Sequence, residues 1–460
     1  MSYCVKTALS RHCKILKTSN KCLAVFLQKV RERCNKSGNG DRAEVGTVLK
    51  LFADRGYISL EQADEEVPMR GVSCWYAPLG AELKRNLLEK WWDSVVNSRA
   101  QVFGVNTPSC TLDRGTGAEL VHVKKIDTKN MREILEQNDL SSEQLIQQVN
   151  ALLQRSLSLR TDFVQGALEQ FVPSSELVNR RLPFGLAETG LCFLVPSNGS
   201  GWPAAFTQTS LVWFCSPRTS SQWLDYWTRQ RLQWWKKFAL CPSDFSSSDI
   251  PEKDLDPPAS RGVKICYNFP WGPEPLEILW SRGDAELLQA HNGVHSKLQC
   301  RDGRKSVPHV VTVTANMDRA VMAFLFNSLQ HQTREDSKRK LHQRKVLKLH
   351  PVLTPMKVAV DIGRGSTMEL RQVCEGLLQE FLDSKISTWP GYLETMPTSL
   401  EQLTARYDEM GVLFTTVINE NTLENGLLQV RSRDTTIRET MHISEIKDFL
   451  YRYISAAQQD

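Results

Sequence analysis

The part of the chain that most constrains the fold is residues 346–460, where strand and helix signals alternate in the order β-α-β-α-β-β-α. Lys357–Ile362 has the apolar run of a buried strand, and apolar residues at helical spacing follow it. That helical stripe consists of Leu370, Val373, Cys374, Leu377, Leu378 and Phe381. The alternation predicts a compact α/β domain at residues 346–460.

The predicted end of this domain is a pair of strands and a helix. Val412–Ile418 and Leu427–Arg433 have strand patterns, and Glu424-Asn425-Gly426 connects them. Asn-Gly is a strong signal for a tight hairpin turn, in which the glycine takes a positive φ. Ile443–Ile454 has amphipathic spacing, so it is predicted to close the domain as a helix.

Residues 41–345 have the mixed pattern of a larger α/β body, and a helical insertion interrupts it at about residues 126–172. Thr128 to Val172 is helical in pattern, and Ser141 with Gln144 three residues later has the form of a capping box. The apolar stripe that follows consists of Leu145, Ile146, Val149, Leu152 and Leu153. This stripe is a possible dimer element that packs against a second copy of the chain, or it packs on its own body. The sequence leaves both alternatives open.

Charge is distributed unevenly along the chain. The formal net charge is +5, but the first 40 residues alone carry +8, so the remainder is net acidic at −3. Residues 1–40 also contain Ser and Thr, interleaved apolar residues and Glu32 as their single acid, which is typical of a mitochondrial transit peptide. The alternative is a disordered basic leader. Nucleic-acid binding by the rest of the chain would need a local basic patch.

Composition excludes several other classes of protein. No apolar run approaches the roughly 18 residues that span a membrane. The 12 cysteines are scattered without a Cys-x-x-Cys pair, which argues against both a zinc site and a disulfide framework. We therefore expect buried thiols in a reducing compartment and no metal site. A stretch rich in Ser, Asp and Pro at Ser243–Ser260 predicts a surface loop.

Several motifs together resemble the glycyl-type class II aminoacyl-tRNA synthetases. Tyr76–Leu87 with Trp91-Trp92 is similar to the first family motif, and Asn179–Leu194 is similar to the approach to the second. The other matching segments are Asn268–Gly272, Leu276-Glu277, Arg282–Asp284, Leu349–Pro351, Pro355–Ala359 and Val430–Asp434. The resemblance implies a class II synthetase-like body with an antiparallel sheet. It also implies that residues 346–460 are similar to an anticodon-binding domain.

The chain departs from that family at positions where the family needs charge. Leu194 stands in place of an arginine that clamps ATP, and Ser210 and Thr312 stand in place of glutamates. Asn316 replaces a glycine, whereas Arg319 is kept. Fixed charges of this kind are typically worth a factor of about 10² to 10³ each in rate. The resemblance therefore implies a degenerate active site without adenylation activity, and no cofactor.

Four tryptophans, at positions 223, 227, 234 and 235, permit two interpretations. Aromatic side chains can stack on the bases of single-stranded nucleic acid. Trp223, Trp227 and Trp234 lie near one face of a predicted helix, however, beside leucines. Core packing is therefore the favoured interpretation.

The chain as a whole also resembles the family of accessory subunits of mitochondrial DNA polymerase gamma, through Trp389–Glu394 and the final helix among other segments. The resemblance implies a homodimer that is not an enzyme. Its implied partners are the polymerase catalytic subunit and double-stranded DNA, bound without sequence preference in the mitochondrial matrix nucleoid. The alternatives are an active glycyl-type synthetase and an RNA-binding adaptor derived from one.

Two sets of residues are candidates for these contacts. Residues 331–348 form a predicted charged connector, in which clustered cations could neutralise phosphates. Its candidate nucleic-acid-binding residues are Arg334, Lys338, Arg339, Lys340, Arg344 and Lys345. The alternative is a solvated linker. For the polymerase contact, the candidates in the carboxyl-terminal domain are Gly426, Arg431 and Arg433.

We predict that neutralising Lys338, Arg339 and Lys340 together weakens binding to duplex DNA. Each lost phosphate contact should also lower the slope of log affinity against log salt by about 0.9, because fewer counterions are released. Titration of labelled duplex at several salt concentrations measures both quantities. An unchanged affinity and slope would place the DNA contact elsewhere.

Overall fold

A computed structural model describes residues 39–59, 75–112, 124–125, 128–136, 141–155, 157–194, 204–335, 341–363, 367–393 and 399–459. Almost all of the predicted leader, residues 1–40, lies outside these ranges. The prediction that it is a transit peptide therefore stays a prediction. Within the described ranges, no helix has both the length and the apolar content needed to cross a membrane.

The described chain begins with helices and short strands that lead into the body. The second helix starts at Pro78, where proline suits the first turn because that N–H has no partner within the helix. Its buried residues recur every three or four positions, and a π-helical turn, Asp93–Asn97, follows it. The elements are α1 (Asn39–Asp54), β1 (Ile58–Ser59), β2 (Trp75–Tyr76), α2 (Pro78–Trp92) and β3 (Val102–Gly104).

The stretch from Thr128 to Val172, predicted as helical, consists of several short helices, and the prediction is wrong at Leu157–Leu159, which form a strand. Ser141 and Gln144 form the predicted capping box, which starts a new helix rather than continuing the preceding one. A strand then pairs with two other short strands in a three-stranded sheet. The elements are β4 (Cys110–Leu112), β5 (Lys124–Lys125), α3 (Thr128–Glu136), α4 (Ser142–Arg155), β6 (Leu157–Leu159), α5 (Val164–Glu169) and α6 (Phe171–Leu177).

The body is built on a seven-stranded sheet in the order β3-β7-β8-β14-β11-β10-β9. All neighbours are antiparallel except β3 and β7, which confirms the predicted synthetase-like architecture. The elements of this part are β7 (Phe184–Leu194), β8 (Ala204–Cys215), α7 (Ser220–Lys237), β9 (Phe245–Asp249), β10 (Arg261–Phe269), β11 (Gly272–Gly283), α8 (Ala285–Ala290), α9 (His295–Leu298), β12 (Cys300–Asp302), β13 (Arg304–Ser306), β14 (His309–Asn316) and α10 (Met317–Ser328).

Both faces of this sheet are covered. On one face, odd-numbered residues of β8 and β14, such as Leu211 and Val313, join the main core together with α2, α7 and α10. On the other face, even-numbered residues such as Val212 and Val310 pack with α5, α6 and α8. The two-residue period of a strand therefore divides each central strand between two cores. Ser243–Ser260, predicted as a loop, contains the edge strand β9, whose outer residues are exposed.

The predicted charged connector is largely a β-hairpin rather than an irregular linker. Its strands β15 (Leu329–Glu335) and β16 (Leu341–Leu347) are antiparallel and pair from Leu329 with Leu347 to Glu335 with Leu341. Residues 338–340, three of the predicted DNA contacts, lie outside the described residues. Backbone hydrogen bonds between the two polar strands order this segment, and its composition gave no sign of them.

The carboxyl-terminal domain has a five-stranded mixed sheet in the order β18-β17-β19-β20-β21. The predicted strand, helix and closing helix are confirmed, and the predicted apolar stripe is buried at Leu370, Cys374, Leu377 and Phe381. The elements are β17 (Val358–Ile362), α11 (Met368–Asp383), β18 (Thr388–Pro390), α12 (Leu400–Glu409), β19 (Phe414–Ile418), α13 (Glu420–Asn425), β20 (Leu427–Ser432), β21 (Arg438–His442) and α14 (Ile443–Gln459).

The main core continues from the body into the carboxyl-terminal domain. Tyr407, Met410 and Val412 belong to the same buried cluster as the body residues Leu49 and Tyr57. The phenol of Tyr57 is fully buried, and its O–H donates a 2.9 Å hydrogen bond to the carbonyl oxygen of Met410. Burial raises the pKa of Tyr57, so the hydroxyl stays protonated and can serve as the donor.

We predict that Tyr57→Phe lowers the free energy of unfolding by about 1 to 3 kcal/mol, because it leaves the buried Met410 carbonyl without its donor. Chemical denaturation of the purified chain measures the change. Tyr451→Phe is the matched control, since its side chain is 62% exposed, and it should change stability by less than about 0.5 kcal/mol. Equal effects of the two changes would contradict this role for Tyr57.

Candidate functional site

Ser210 and Thr312, the two positions predicted to stand in place of synthetase glutamates, lie on one face of the central sheet. Ser210 of β8 pairs with Glu188 of β7 and Thr314 of β14, and Thr312 lies two residues from Thr314 on the same strand. Directly paired residues share a face, so Ser210, Thr312 and Glu188 point the same way. Ser210 is 1% exposed and Thr312 is fully buried. Within the described chain, neither hydroxyl has a hydrogen-bond partner.

Glu188 is the remaining carboxylate on this part of the face, and donors of the chain itself surround it. It is 3% exposed and accepts hydrogen bonds from the backbone N–H of Thr107 at 2.9 Å and from the Thr107 hydroxyl at 2.7 Å. Arg160 Nη1 also donates to it at 2.9 Å. The Arg160 guanidinium lies 4.2 Å from the ring centre of Phe163. This network holds β7 to the segment after β3.

The other positions of the predicted degenerate site have structural contacts. Asn316 is the amino-terminal cap of α10, and its side chain accepts a 2.9 Å hydrogen bond from the Arg319 N–H. Arg319 Nη1 donates to the carbonyl oxygen of Pro275 at 2.6 Å. Burial lowers the pKa of Arg319, and the nearby Glu274 partly opposes that shift. Leu194 is the last residue of β7.

Asp318 has a role that the sequence analysis missed. Its carboxylate is 1% exposed and accepts from Tyr76 Oη at 2.7 Å, Lys84 Nζ at 2.7 Å and the Thr207 N–H at 2.5 Å. One buried charge therefore joins β2, α2, β8 and α10. Three donors satisfy a buried carboxylate in the way such a group requires. The spacing of the sequence gives no signal for contacts between residues so far apart.

The tryptophans of α7 lie in the core, which confirms the favoured interpretation. Trp227 is 1% exposed and Trp235 is fully buried, with its indole N–H donating to Glu277 at 2.6 Å. Arg231 Nε also donates to Glu277, at 2.8 Å. This buried ion pair fastens α7 to β11, so the aromatic cluster is part of the fold.

The predicted DNA-binding residues divide into two groups in the structure. Arg344 forms an ion pair with Asp408, a buried residue of α12, so its charge is turned toward the carboxyl-terminal domain. Lys345 is the next residue of β16 and is half-buried. Arg334 lies near the far end of β15, and its backbone pairs with His342. Their contact with DNA stays a prediction.

The two predicted partner-binding arginines are buried inside the carboxyl-terminal domain. Arg431 makes a two-point contact with Asp408, at 2.9 and 3.2 Å. Arg433 is 2% exposed and donates to the carbonyl oxygens of Gly411 at 2.8 Å, Leu347 at 3.2 Å and Leu349 at 2.8 Å. In this structure both guanidiniums face into the fold, where they hold the domain together.

Gly426 has the predicted positive φ, at 72°, but the predicted tight turn is wrong. A short helix, α13, connects β19 to β20, and Gly426 follows its last residue in the left-handed conformation. A side chain at this position would place its Cβ 2.4 Å from His442 Nε2. Gly426 therefore ends a helix beside the edge strand β21.

The helical insertion leaves apolar side chains in contact with solvent. Leu135 of α3 is 59% exposed and Ile146 of α4 is 58% exposed. No residue of α3 is buried, and neither helix contributes a residue to the hydrophobic cores that the described residues form. Leu145, Val149, Leu152 and Leu153 of the α4 stripe are half-buried, so both alternatives for this stripe stay open.

Sites for metal ions are not apparent in the described ranges, where no three His, Cys, Asp or Glu side chains are grouped to hold one. Burial raises the pKa of the Cys192 and Cys215 thiols to about 12. Thiols with such pKa values stay protonated near neutral pH and are poor nucleophiles and metal ligands.

Comparison with known proteins places most of the chain in one set of relatives. It is 48% identical to DNA polymerase subunit gamma-2 of Bos taurus over 443 residues, which cover 93% of this chain and 88% of that protein. It is 49% identical to the Xenopus laevis protein named DNA polymerase subunit gamma-2, mitochondrial, over 434 residues, covering 92% and 91%.

More distant similarity reaches the synthetases. The chain is 25% identical to a glycine–tRNA ligase of Mycolicibacterium paratuberculosis over 468 residues, which cover 88% of this chain and 97% of that enzyme. The family described as "Anticodon binding domain" matches residues 357–452. The match covers most of the predicted carboxyl-terminal domain and supports the synthetase-like relation.

We predict that Gly426→Ala lowers the free energy of unfolding by about 1 to 2 kcal/mol, because an L side chain is disfavoured at a positive φ and would also displace His442. Gly376→Ala is the matched control. Gly376 lies within α11 with open space around it, so alanine should stabilise that helix by about 0.5 to 1 kcal/mol. Urea unfolding of both variants gives the comparison, and a neutral Gly426→Ala would contradict the strain argument.

Proposed function

The chain belongs to the DNA polymerase subunit gamma-2 family, and from this premise we propose that it is the non-catalytic accessory subunit of the mitochondrial replicative DNA polymerase. In this role it binds the catalytic subunit and double-stranded DNA, tightens the hold on primer-template and raises processivity. The observation that carries the proposal is identity near one half over about nine-tenths of both chains.

The absence of catalysis is the first part of the proposal. The positions where a synthetase carries glutamates hold Ser210 and Thr312, both buried and uncharged. Asn316 caps α10, and Arg319 is bound to the Pro275 carbonyl. Adenylation needs fixed charges around ATP, and magnesium needs oxygen anions. The burial of Ser210 and Thr312 and the contacts of Asn316 and Arg319 support the interpretation that these positions now stabilise the fold.

The second part is sequence-independent contact with duplex DNA through the β15–β16 hairpin and the residues between its strands. Arg334, Lys338, Arg339, Lys340 and Lys345 supply the positive charge in this proposal. Arg344, also predicted to bind DNA, holds the hairpin to Asp408. A hairpin whose base is held to the carboxyl-terminal domain suits contacts to the phosphate backbone, which carry no sequence information.

The third part is the contact with the catalytic subunit through the carboxyl-terminal domain. Several elements of this domain expose large apolar side chains. Leu423 is 43% exposed, Leu427 is 39% exposed, Ile437 is 57% exposed and Tyr451 is 62% exposed. Apolar and aromatic side chains of this kind are typical anchors of protein interfaces. Gly426 lies at the junction of α13 and β20, and the buried Arg431 and Arg433 hold the same domain together.

The fourth part is a homodimer that buries the apolar residues of the helical insertion. Ile146 and the half-buried stripe of α4 would pack against a second copy of the chain. Exposed apolar residues at helical spacing suit the association of helices. Mitochondrial location joins the proposal through the composition of residues 1–40 and through the name of the Xenopus laevis relative.

The proposal is tested by primer extension with the catalytic subunit, with and without this chain, across rising salt and in the presence of a DNA trap. We expect longer products per binding event when the chain is present, and the largest gain at high salt, where the polymerase alone dissociates sooner. Unchanged product lengths at every salt concentration would overturn the processivity role. Formation of glycyl-adenylate by the purified chain would overturn its non-catalytic part.

Two variants locate the polymerase contact within the same assay. Ile437→Ser should reduce stimulation at limiting concentrations of the chain, because it removes an exposed apolar side chain near β21. Met368→Ser is the matched control, since Met368 is 72% exposed at the start of α11. Both side chains are exposed, so both variants should fold. Equal stimulation by the two would move the interface away from this surface.

A further inference from the structure

A crevice separate from the surfaces proposed for DNA and the polymerase lies between α7 and the π-helical turn after α2. Its volume is about 280 Å³. Ser94 and Arg99 line it from the side of the turn, and Gln230, Arg231 and Lys237 line it from α7. The lining of the crevice thus includes three cationic side chains together with amide and hydroxyl groups.

Arg231 is the buried cation of the crevice. Its side chain is 2% exposed, Nε donates to Glu277 and Nη1 donates to Ser94 Oγ at 3.1 Å. The guanidinium lies 4.5 Å from the ring centre of Trp234, which also lines the crevice. Among the described residues, Nη2 of Arg231 has no hydrogen-bond acceptor. Burying an N–H donor without an acceptor costs free energy unless a bound group accepts its hydrogen bond.

Arg99 is held in a fixed orientation. Its guanidinium lies 4.7 Å from the ring centre of Trp227 and donates to Ser98 Oγ at 3.0 Å and to Gln230 Oε1 at 3.4 Å. These acceptors are neutral, so they orient the positive charge without cancelling it. A planar guanidinium fixed in this way is suited to two-point binding of an oxyanion.

The charges of the crevice do not balance. Glu277 compensates Arg231, but none of the described residues that line the crevice is acidic. Arg99 and Lys237 therefore leave an excess of positive charge next to a low-dielectric wall of tryptophan rings. Such an arrangement concentrates anions and strengthens their attraction compared with an open surface.

We propose that this crevice is a binding site for a phosphate group, either free inorganic phosphate or the phosphate of a nucleoside monophosphate. Arg99 and Lys237 bind the anion directly through their uncompensated charges. Arg231 offers its Nη2, unpartnered in the part of the chain that the structure describes, as a further donor, and its hydrogen bond to Ser94 Oγ keeps the guanidinium in place. The site is independent of the proposed DNA and polymerase contacts, because α7 and the turn after α2 contribute to neither.

Calorimetric titration of the purified full chain with inorganic phosphate tests the proposal, with sodium chloride at matched ionic strength as the blank. A second titration uses thymidine monophosphate. We expect saturable binding, weakened about tenfold in Arg99→Gln and in Lys237→Gln, because each removes a charge-assisted contact. Arg229→Gln is the matched control, since Arg229 is exposed on the same helix and does not line the crevice.

The two titrations distinguish a nucleotide ligand, free phosphate and the absence of a site. Thymidine monophosphate that binds at least tenfold more tightly than phosphate identifies a nucleotide as the ligand, and equal affinities identify free phosphate. Absence of saturation for both ligands overturns the proposal, as does equal binding by Arg99→Gln, Lys237→Gln and Arg229→Gln. Thermal melting of each variant shows whether it is folded, and a loss of binding counts only for a folded variant. Because Arg99→Gln and Lys237→Gln are tested separately, misfolding of one leaves the other to decide.

Discussion

The guanidinium of Arg433 donates hydrogen bonds to the carbonyl oxygens of Leu347, Leu349 and Gly411, and these bonds join the hairpin base to the carboxyl-terminal domain. Leu347 ends β16, whereas Gly411 precedes β19. Buried carbonyl groups need donors, so the domain can pack here only while this side chain is in place. Asp408 adds a second fastening, since it binds Arg431 of the sheet and Arg344 of the hairpin.

These contacts hold the hairpin proposed to bind DNA in a fixed position relative to the domain proposed to bind the polymerase. The hairpin is fixed at its base, and its partner residue Asp408 belongs to α12 of the carboxyl-terminal domain. At the same junction, Tyr57 and Arg55 of the body contact Met410 and Glu409. An accessory subunit of the proposed kind needs such rigidity, because it acts by positioning other macromolecules rather than by chemistry.

The sequence predicted the carboxyl-terminal domain well, because its strands and helices carry regular apolar spacing. It did not predict the hairpin, because the polar and basic residues of β15 and β16 lack the apolar alternation that indicates a strand. Their pairing is visible only in the folded chain. The connection before Gly426 also failed: the positive φ was foreseen, but the local Asn-Gly signal concealed a capped helix whose Asn419 and Thr422 begin it.

The residues of the predicted degenerate site were singled out by motifs rather than by apolar spacing. These residues are Ser210, Thr312, Asn316 and Arg319, and the sheet brings the first two onto one face. The buried charges that order the fold, Asp318 and Asp408 among them, were not found. Each binds residues distant in sequence, and no periodicity encodes which donor a carboxylate will meet. Arg431 and Arg433 were predicted as partner contacts because the domain resembles an anticodon-binding domain, whereas their guanidiniums bind groups inside the fold.

The shared core has a thermodynamic consequence. Body and carboxyl-terminal domain contribute to one continuous cluster through residues such as Leu49 and Tyr407. A substitution that weakens packing in either half therefore lowers the free energy of unfolding of both, because they unfold together. A substitution that abolishes polymerase stimulation can act by shifting the melting equilibrium, however far it lies from any contact. Inherited or engineered changes in such a chain acquire a molecular explanation only when their folding and their binding have been measured side by side.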